Sequence, residues 1–467
     1  MSLTKVTYSM IEGTPVNVLD YGAVADDTTD CAAAFGAALD AIIAAGGGTL
    51  YIPTGTYRIK SKISKTLTAQ QHIAIVGDGK YVSTLDFSTA NDLGIELIST
   101  TTSANFHPNV QIKQIGLITS RDNAGTAIKV TYADALTLDN SVNIDDIFIG
   151  ANLKRAADSG SGYGYWSRAI HLDNARVSKI SKLHSFGEID KSPKSDRGIY
   201  MTGECTEVVI DNCNIFEYAV GIEATGNSEG VFVTNCVVTQ CRYGYRFNFA
   251  GGEPQMILSN SHASASETCV WMTNCLQSVV SNCVFYANEY YATPGPWPDW
   301  YGVIIDGANS SHNKIIGNTF TKENGRTGDT TTAISIDNGA WMIIDNNSCF
   351  GFSGNALTYG VYIRAAASET FVGPGNQFQI VTTPFTSLGT RTVRQPIIQS
   401  GFASAVTTGT VISFPYSFYA NPVNVIACSL GTSTAINVGV ASPTINGFTV
   451  YHNGGGAADI SWTAAGY

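Results

Sequence analysis

The sequence predicts an all-β chain. It reads as a parallel β-helix closed at its N-terminal end by one helix and followed by a small antiparallel β-sandwich. Three observations carry this: an Asn-marked repeat through the middle, one helical stretch near the start, and a change of strand pattern after residue 400.

The repeat runs from about 110 to 375. Asn212, Asn235, Asn260, Asn282, Asn318 and Asn346 each close a short β-branched strand, at spacings of 22 to 36 residues. Gln114, Asp146 and Lys182 fit the same frame upstream. Ten residues on in the short units, Ile222, Tyr245 or Val270 begins an alternating strand, the pattern of a strand with one buried face. Units of this length, with short strands and no helix, are coils that stack along an axis, each adding about 4.8 Å. Asn suits the tight corner because it tolerates left-handed backbone, and its amide can bond to the next coil. Cys213, Cys236 and Cys283 follow the Asn directly, with Ser261 and Thr319 in the other places, and read as an inward column.

At the start, residues 28–45 place Phe35, Leu39, Ile42 and Ile43 at helical spacing, with Thr28 or Thr29 as cap and Gly46 as stop. A solenoid needs a plug over its first coil, because a bare sheet edge pairs with other chains. At the other end, NPVNVI (421–426), GFTVYHN (447–453) and SWTAAGY (461–467) read as antiparallel strands. The expected organisation is a lead-in at 1–15, cap and first coils at 16–110, β-helix at 111–385, linker at 386–400 and β-sandwich knob at 401–467.

Composition narrows the function. Hydrophobic residues are 44% of the chain, enough for a large core, and no apolar run is long enough for membrane insertion. The net charge of −11 argues against a nucleic-acid coat. Residues 154–197 are locally basic, a patch that an anion could use or a solvated face. Ten cysteines without a CxxC, and seven histidines without ligand spacing, give no metal or cofactor site. The first residues lack an apolar core, so synthesis in a reducing cytoplasm is expected.

The extra residues of the long units fall at one corner: 150–168, 186–197, 286–301 and 321–332. Insertions at one corner of a solenoid form a binding face. They carry Trp166, Trp297 and Trp300, flat rings suited to the C–H faces of sugars, and Trp297 and Trp300 flank Asp299 in a Pro-stiffened loop. Glu223, Arg246 and Trp271 fall in one outward column, and Asp173, Asp306 and Asp337 in the next. Glu217 and Glu323 share a corner position, and Glu289 sits at the base of the Trp loop. Glycoside hydrolysis needs two carboxyl groups about 5–5.5 Å apart for retention or about 6.5–9.5 Å for inversion. Glu217, Glu223, Glu289 and Asp306 are therefore the candidate catalytic residues. Trp166, Arg246, Trp271, Trp297, Asp299 and Trp300 are the candidate substrate-binding residues. His171 and Tyr200 share the Arg246 column, so elimination stays open. No GxSxG elbow is present.

The stretch VLDYGAVADDTTD (18–30), the Ala-rich helix after it and GGGTLYIP (46–53) resemble the opening of the pectate-lyase-like superfamily, which includes polygalacturonases and many bacteriophage tailspikes. MIEGTP (10–15) resembles a tailspike lead-in, and the C-terminal strands are similar to a knob that ends some tail fibres. The resemblance implies a right-handed β-helix and a homotrimer whose knob aids assembly or receptor contact. It implies a virion-tail depolymerase that hydrolyses a bacterial surface polysaccharide, capsule or lipopolysaccharide O-antigen. A polysaccharide lyase and a non-catalytic receptor-binding spike are the alternatives. A large virion-attachment domain is not seen before residue 15, which implies attachment through those residues or through a baseplate or adaptor protein.

Overall fold

The computed structural model describes residues 14–68, 71–88, 94–101, 108–133, 141–151, 164–188, 195–288, 298–323, 326, 328–394, 397–414, 424–430, 438–444, 446–453 and 456–466. Residues 16–394 wind into a right-handed parallel β-helix with three sheet faces. The first face is one fourteen-stranded ladder from Val16–Asn17 to Val393–Arg394. The second runs through Phe148–Ala151, His184–Phe186 and Asn214–Phe216. The third runs through Arg168–Asp173, Arg197–Thr202, Val220–Gly226 and Trp300–Asp306. Two long strands, Val237–Pro254 and His262–Leu276, turn the corner and belong to both later faces.

Alternation fixes what faces in. On the third face Ile199, Met201, Ile222, Ala224, Tyr245, Phe247, Val270 and Met272 are buried, while Tyr200, Arg246 and Trp271 between them point outward and are only partly covered. A one-residue slip in any coil would exchange the two sets, so the hydrophobic pattern itself holds the register.

The corner asparagines adopt left-handed backbone, with φ of 53° at Asn212, 52° at Asn235, 48° at Asn260, 54° at Asn282 and 56° at Asn346. Gln114, Asp146 and Lys182 do the same at 55°, 55° and 52°. The unit at 318 departs from expectation: Gly317 takes the corner, at φ 72°, and Asn318 turns inward instead of Thr319. The inward column therefore runs Cys213, Cys236, Ser261, Cys283, Asn318, Asn347, all buried. Amides placed there must find partners. Asn318 Nδ2 donates to Val280 O at 2.9 Å and Asn347 Oδ1 at 3.1 Å, and Asn347 Nδ2 donates to Ile315 O and Asn376 Oδ1, both at 2.9 Å. This amide ladder lies inside the coils rather than at their corners.

The capping helix is Ala32–Ala44, shorter than 28–45. Asp26–Asp30 is instead extended and pairs with Gly55–Arg58. Cys31 stands at the N-cap without a side-chain bond to the helix's first turn, and Asp30 Oδ1 accepts from Ala32 N at 3.1 Å, so neither Thr28 nor Thr29 is the cap. Phe35, Leu39 and Ile42 are buried over the first coil, each contributing about 2 kcal/mol.

Two boundaries differ from expectation. Val393–Arg394 pairs with Phe371–Val372, so the last coil occupies much of the expected linker at 386–400. The next strand, Ile397–Val406, already belongs to an antiparallel sheet with Ala458–Gly466 and Asn424–Leu430. A second antiparallel sheet joins Thr410–Ser413, Gly447–His452 and Val438–Ala441, and the two share a core around Phe448, Ile460 and Trp462.

Candidate active site

The third face carries the polar and aromatic residues expected of a working surface. Its outward column reads Lys129, His171, Tyr200, Glu223, Arg246, Trp271, Ile304, Ser335, Tyr362, one residue per coil. A flanking column holds Arg168, Arg197, Val220, Tyr243, Thr268 and Tyr301.

Glu223 is the anchor of this surface. It is 1% exposed and ion-paired with both Arg197 and Arg246, the latter at 3.4 Å. Arg197 also pairs with Asp196, which meets Arg168 at 3.3 Å. The guanidinium groups lie over rings. Arg197 stands 4.7 Å and Arg168 5.4 Å from the Tyr200 centroid, and Arg246 stands 5.1 Å from Trp271. Tyr243 packs 5.8 Å from Trp271. Arg246 Nε and Trp271 Nε1 are buried without a hydrogen-bond partner among the described residues. Such donors are costly to leave unpaired.

His171 packs against Tyr200 with ring centroids 4.9 Å apart and the planes tilted by 32°, and shares a hydrogen bond with Thr202 Oγ1 at 2.9 Å. Thr202 in turn donates to Asp173 at 2.8 Å. Burial lowers His171 to about 4, against the opposing pull of Asp173, and Lys129, Arg168 and Arg197 add to the lowering. The imidazole is therefore neutral at pH 7.

The candidate carboxyl groups are not brought together as a set. Glu217 sits at the corner with φ 70°. It and Glu323 share that corner but are four coil steps apart, about 19 Å. Glu223 and Asp306 are three coils apart, about 14 Å. Those separations exceed the range for hydrolysis. Glu289 and Trp297 lie outside the described residues. Asp306 has a close neighbour that the candidate set omitted. Asp337 follows Ile336 as Asp306 follows Ile305, and Ile305 pairs with Ile336. The two aspartates thus occupy one outward column on adjacent coils, one interstrand step of about 4.8 Å apart along the axis. Asp306 Oδ1 accepts from Gly307 N at 2.6 Å. Asp337 is held by Arg364 Nε at 3.0 Å and by the Ser335 hydroxyl. Arg364 also stands 4.6 Å from the Tyr362 ring and reaches Tyr301 Oη at 3.5 Å.

Two expected sugar platforms are corrected. Trp166 and Trp300 are both 0% exposed. Trp166 packs edge-on against Phe87 at 5.7 Å, and Trp300 begins a strand in the core. A ring buried on both faces cannot stack on a ligand. Asp299 is exposed and accepts from Thr330 N at 3.0 Å, so it holds the corner. Arg326, fully buried, ties that corner down: it donates to Ser266 O and Pro298 O, each at 2.9 Å, to Asn288 O, and to Asp329 at 2.7 Å. The basic surplus at 154–197 is largely matched where described, by Arg168–Asp196, Arg197–Glu223 and Arg176–Glu204. Lys154, Arg155, Lys191 and Lys194 lie outside the described residues.

Comparison with known proteins agrees with the fold. Residues 15–246 match the family described as rhamnogalacturonase A/epimerase, pectate lyase-like, and residues 197–373 match the right-handed β-helix region. A lid-less DFA-IIIase from Arthrobacter chlorophenolicus A6 superposes with a TM-score of 0.53 at 12% identity, covering 79% of this chain and 99% of that one. A double mutant of the tailspike of E. coli bacteriophage HK620, in complex with a pentasaccharide, gives 0.50 at 11% identity over 97% and 93%. At such identities the likeness is one of fold. A mannuronan C5-epimerase of Azotobacter vinelandii is 46% identical over 66 residues, which are 14% of this chain and 7% of that protein. No helix among the described residues is long and apolar enough to cross a membrane.

Proposed function

We propose that this protein is a tailspike-type depolymerase that hydrolyses a bacterial surface polysaccharide, capsule or lipopolysaccharide O-antigen. Asp306 and Asp337 would serve as acid and nucleophile, and the third face would hold the glycan. The observation that carries the reading is the pair of aspartates on adjacent coils, set among Trp271, Tyr301 and Tyr362 on one outward surface. The bound pentasaccharide of the tailspike relative supports the same use of the fold. In this reading the protein is a homotrimer on the virion tail, joined through a baseplate or adaptor protein.

Hydrolysis here needs one carboxylic acid to protonate the leaving oxygen while one carboxylate attacks the anomeric carbon, and then a water, deprotonated by the first residue, to displace the sugar from that carboxylate. Arg364 holds Asp337 at 3.0 Å, which fixes Asp337 as the nucleophile and leaves the role of acid to Asp306. Glu223 holds Arg197 and Arg246 in place rather than reacting.

Elimination is the second reading, favoured by the neutral His171 packed against Tyr200. His171 would take the proton beside a uronate carboxylate as the glycosidic C–O bond breaks to leave a C=C bond, the departing oxygen taking a proton from water, with Arg168 and Arg197 neutralising the uronate charge. A product assay on capsular and O-antigen polysaccharides separates the readings. Saturated oligosaccharides with a new reducing end fit hydrolysis. Products carrying an ultraviolet-absorbing double bond fit elimination. Binding without either product leaves a receptor-binding spike.

A further inference from the structure

The outward column of the third face is periodic. Counting one residue per coil, Tyr200 is followed three coils later by Trp271, and Trp271 three coils later by Tyr362. Each ring has a guanidinium over it: Arg197 at 4.7 Å, Arg246 at 5.1 Å and Arg364 at 4.6 Å, respectively. The two intervals are each about 14 Å. Between the second and third rings the column drops to Ile304 and Ser335, which are 9% and 0% exposed. Asp306 and Asp337 stand beside that dip, one and two coils past Trp271.

The charge along this row is balanced. Arg168, Arg197, Arg246 and Arg364 stand against Asp196, Glu223, Asp306 and Asp337, four charges of each sign. The chain as a whole carries −11. A polyanion would find no net attraction here and would be repelled at long range. What the row offers is ring faces for C–H surfaces, guanidinium N–H groups for hydroxyl and ether oxygens, and carboxylates that accept from hydroxyls. Those are the needs of an uncharged, polyhydroxylated chain.

We propose that Tyr200, Trp271 and Tyr362, each under its arginine, form an axial track of three evenly spaced platforms for an extended glycan whose contacted stretch is uncharged. The glycan runs parallel to the helix axis. The bond presented to Asp306 and Asp337 lies between the second and third platforms, so the longer bound arm rests on Tyr200 and Trp271. This rests on the glycan reading of the site and adds its direction, its spacing and its substrate class. It also bears on the chemistry, because elimination requires a uronate at the reacting centre and an uncharged stretch excludes one.

The test is binding of the full chain to an array of purified bacterial capsular and O-antigen polysaccharides, grouped into uncharged and acidic repeats, at low and high salt. Wild type is compared with Trp271→Ala, Tyr362→Ala and Tyr362→Phe, each checked for an unchanged melting temperature. The expected result is binding to uncharged glycans that salt does not weaken, with each Ala variant at least about fivefold weaker and Tyr362→Phe near wild type. Binding confined to acidic glycans and suppressed by salt would overturn the substrate class. Binding of uncharged glycans that Tyr362→Ala leaves unchanged would remove the third platform and so the track, while the glycan reading stands. If wild type binds no glycan on the array, the glycan reading falls and the track falls with it.

Discussion

Asp306 and Asp337 stand in one outward column on adjacent coils, and the second of them is fixed by Arg364 at 3.0 Å. If these are the acid and the nucleophile, Asp306→Asn and Asp337→Asn should each lower the rate of polysaccharide cleavage by about 100-fold or more. Glycan binding should survive in both. A rate within a few-fold of wild type for either variant, measured as new reducing ends, removes the pair from the mechanism.

Glu223 should matter for stability and binding rather than for bond cleavage. Replacing it by Gln leaves Arg197 and Arg246 without their shared counter-charge in a nearly closed site. A loss of about 2–3 kcal/mol is expected, read from denaturant unfolding. Glycan affinity should fall with it, because Arg246 would no longer be held over Trp271. Unchanged stability would show that the two arginines find other partners.

Trp166→Ala tests the correction made to the sugar platforms. The ring fills the core beside Phe87, so its removal should cost about 3–5 kcal/mol. The ratio of affinities for different glycans should not change. A selective loss of glycan binding at unaltered stability would restore Trp166 to the site.

Two buried groups give stability opposite pH dependences. Asp86 is buried with Asp27 beside it, Arg58 Nη2 at 3.5 Å and Ser88 donating to it, and burial raises it to about 6 from 3.8. A raised carboxyl group contributes stability that is fully present below 3.8 and is lost as pH rises through 6. His171 is lowered to about 4 from 6.5, so its contribution is present above 6.5 and is lost as pH falls through 4. The windows overlap and the terms oppose, so wild-type melting curves alone hide both. Asp86→Asn should make the protein lose more stability on acidification than wild type, and His171→Gln should make it lose less. Parallel melting curves for wild type and either variant between pH 4 and 6.5 would contradict that assignment.

The coil is legible in local patterns of the chain. The Asn-marked corners, the alternation after Ile222, Tyr245 and Val270 and the apolar helix are local patterns, and each dictates a local conformation. Left-handed backbone at Asn212 or Asn282 follows from the residue and its neighbours alone. The column of Glu223, Arg246 and Trp271 was legible for the same reason, since alternation fixes which side chains face outward. The sequence frame failed where two adjacent residues compete for one position, as at Gly317 and Asn318. The achiral glycine takes the left-handed corner without strain and turns the amide inward.

Tertiary structure decided what distances and burial are. Trp166 and Trp300 look like exposed rings in a loop, yet packing closes over both. Glu217 and Glu323 share a corner by alignment, but the four coils between them hold them about 19 Å apart, since each coil adds one interstrand distance. Asp306 and Asp337 share a column already in the sequence, but the pairing of Ile305 with Ile336 is what makes them neighbours and sets Asp337, held by Arg364, beside Asp306. The third face acquires its periodic row for the same reason. Stacking turns irregular sequence spacings into equal axial steps, since every coil advances by one interstrand distance whatever its length.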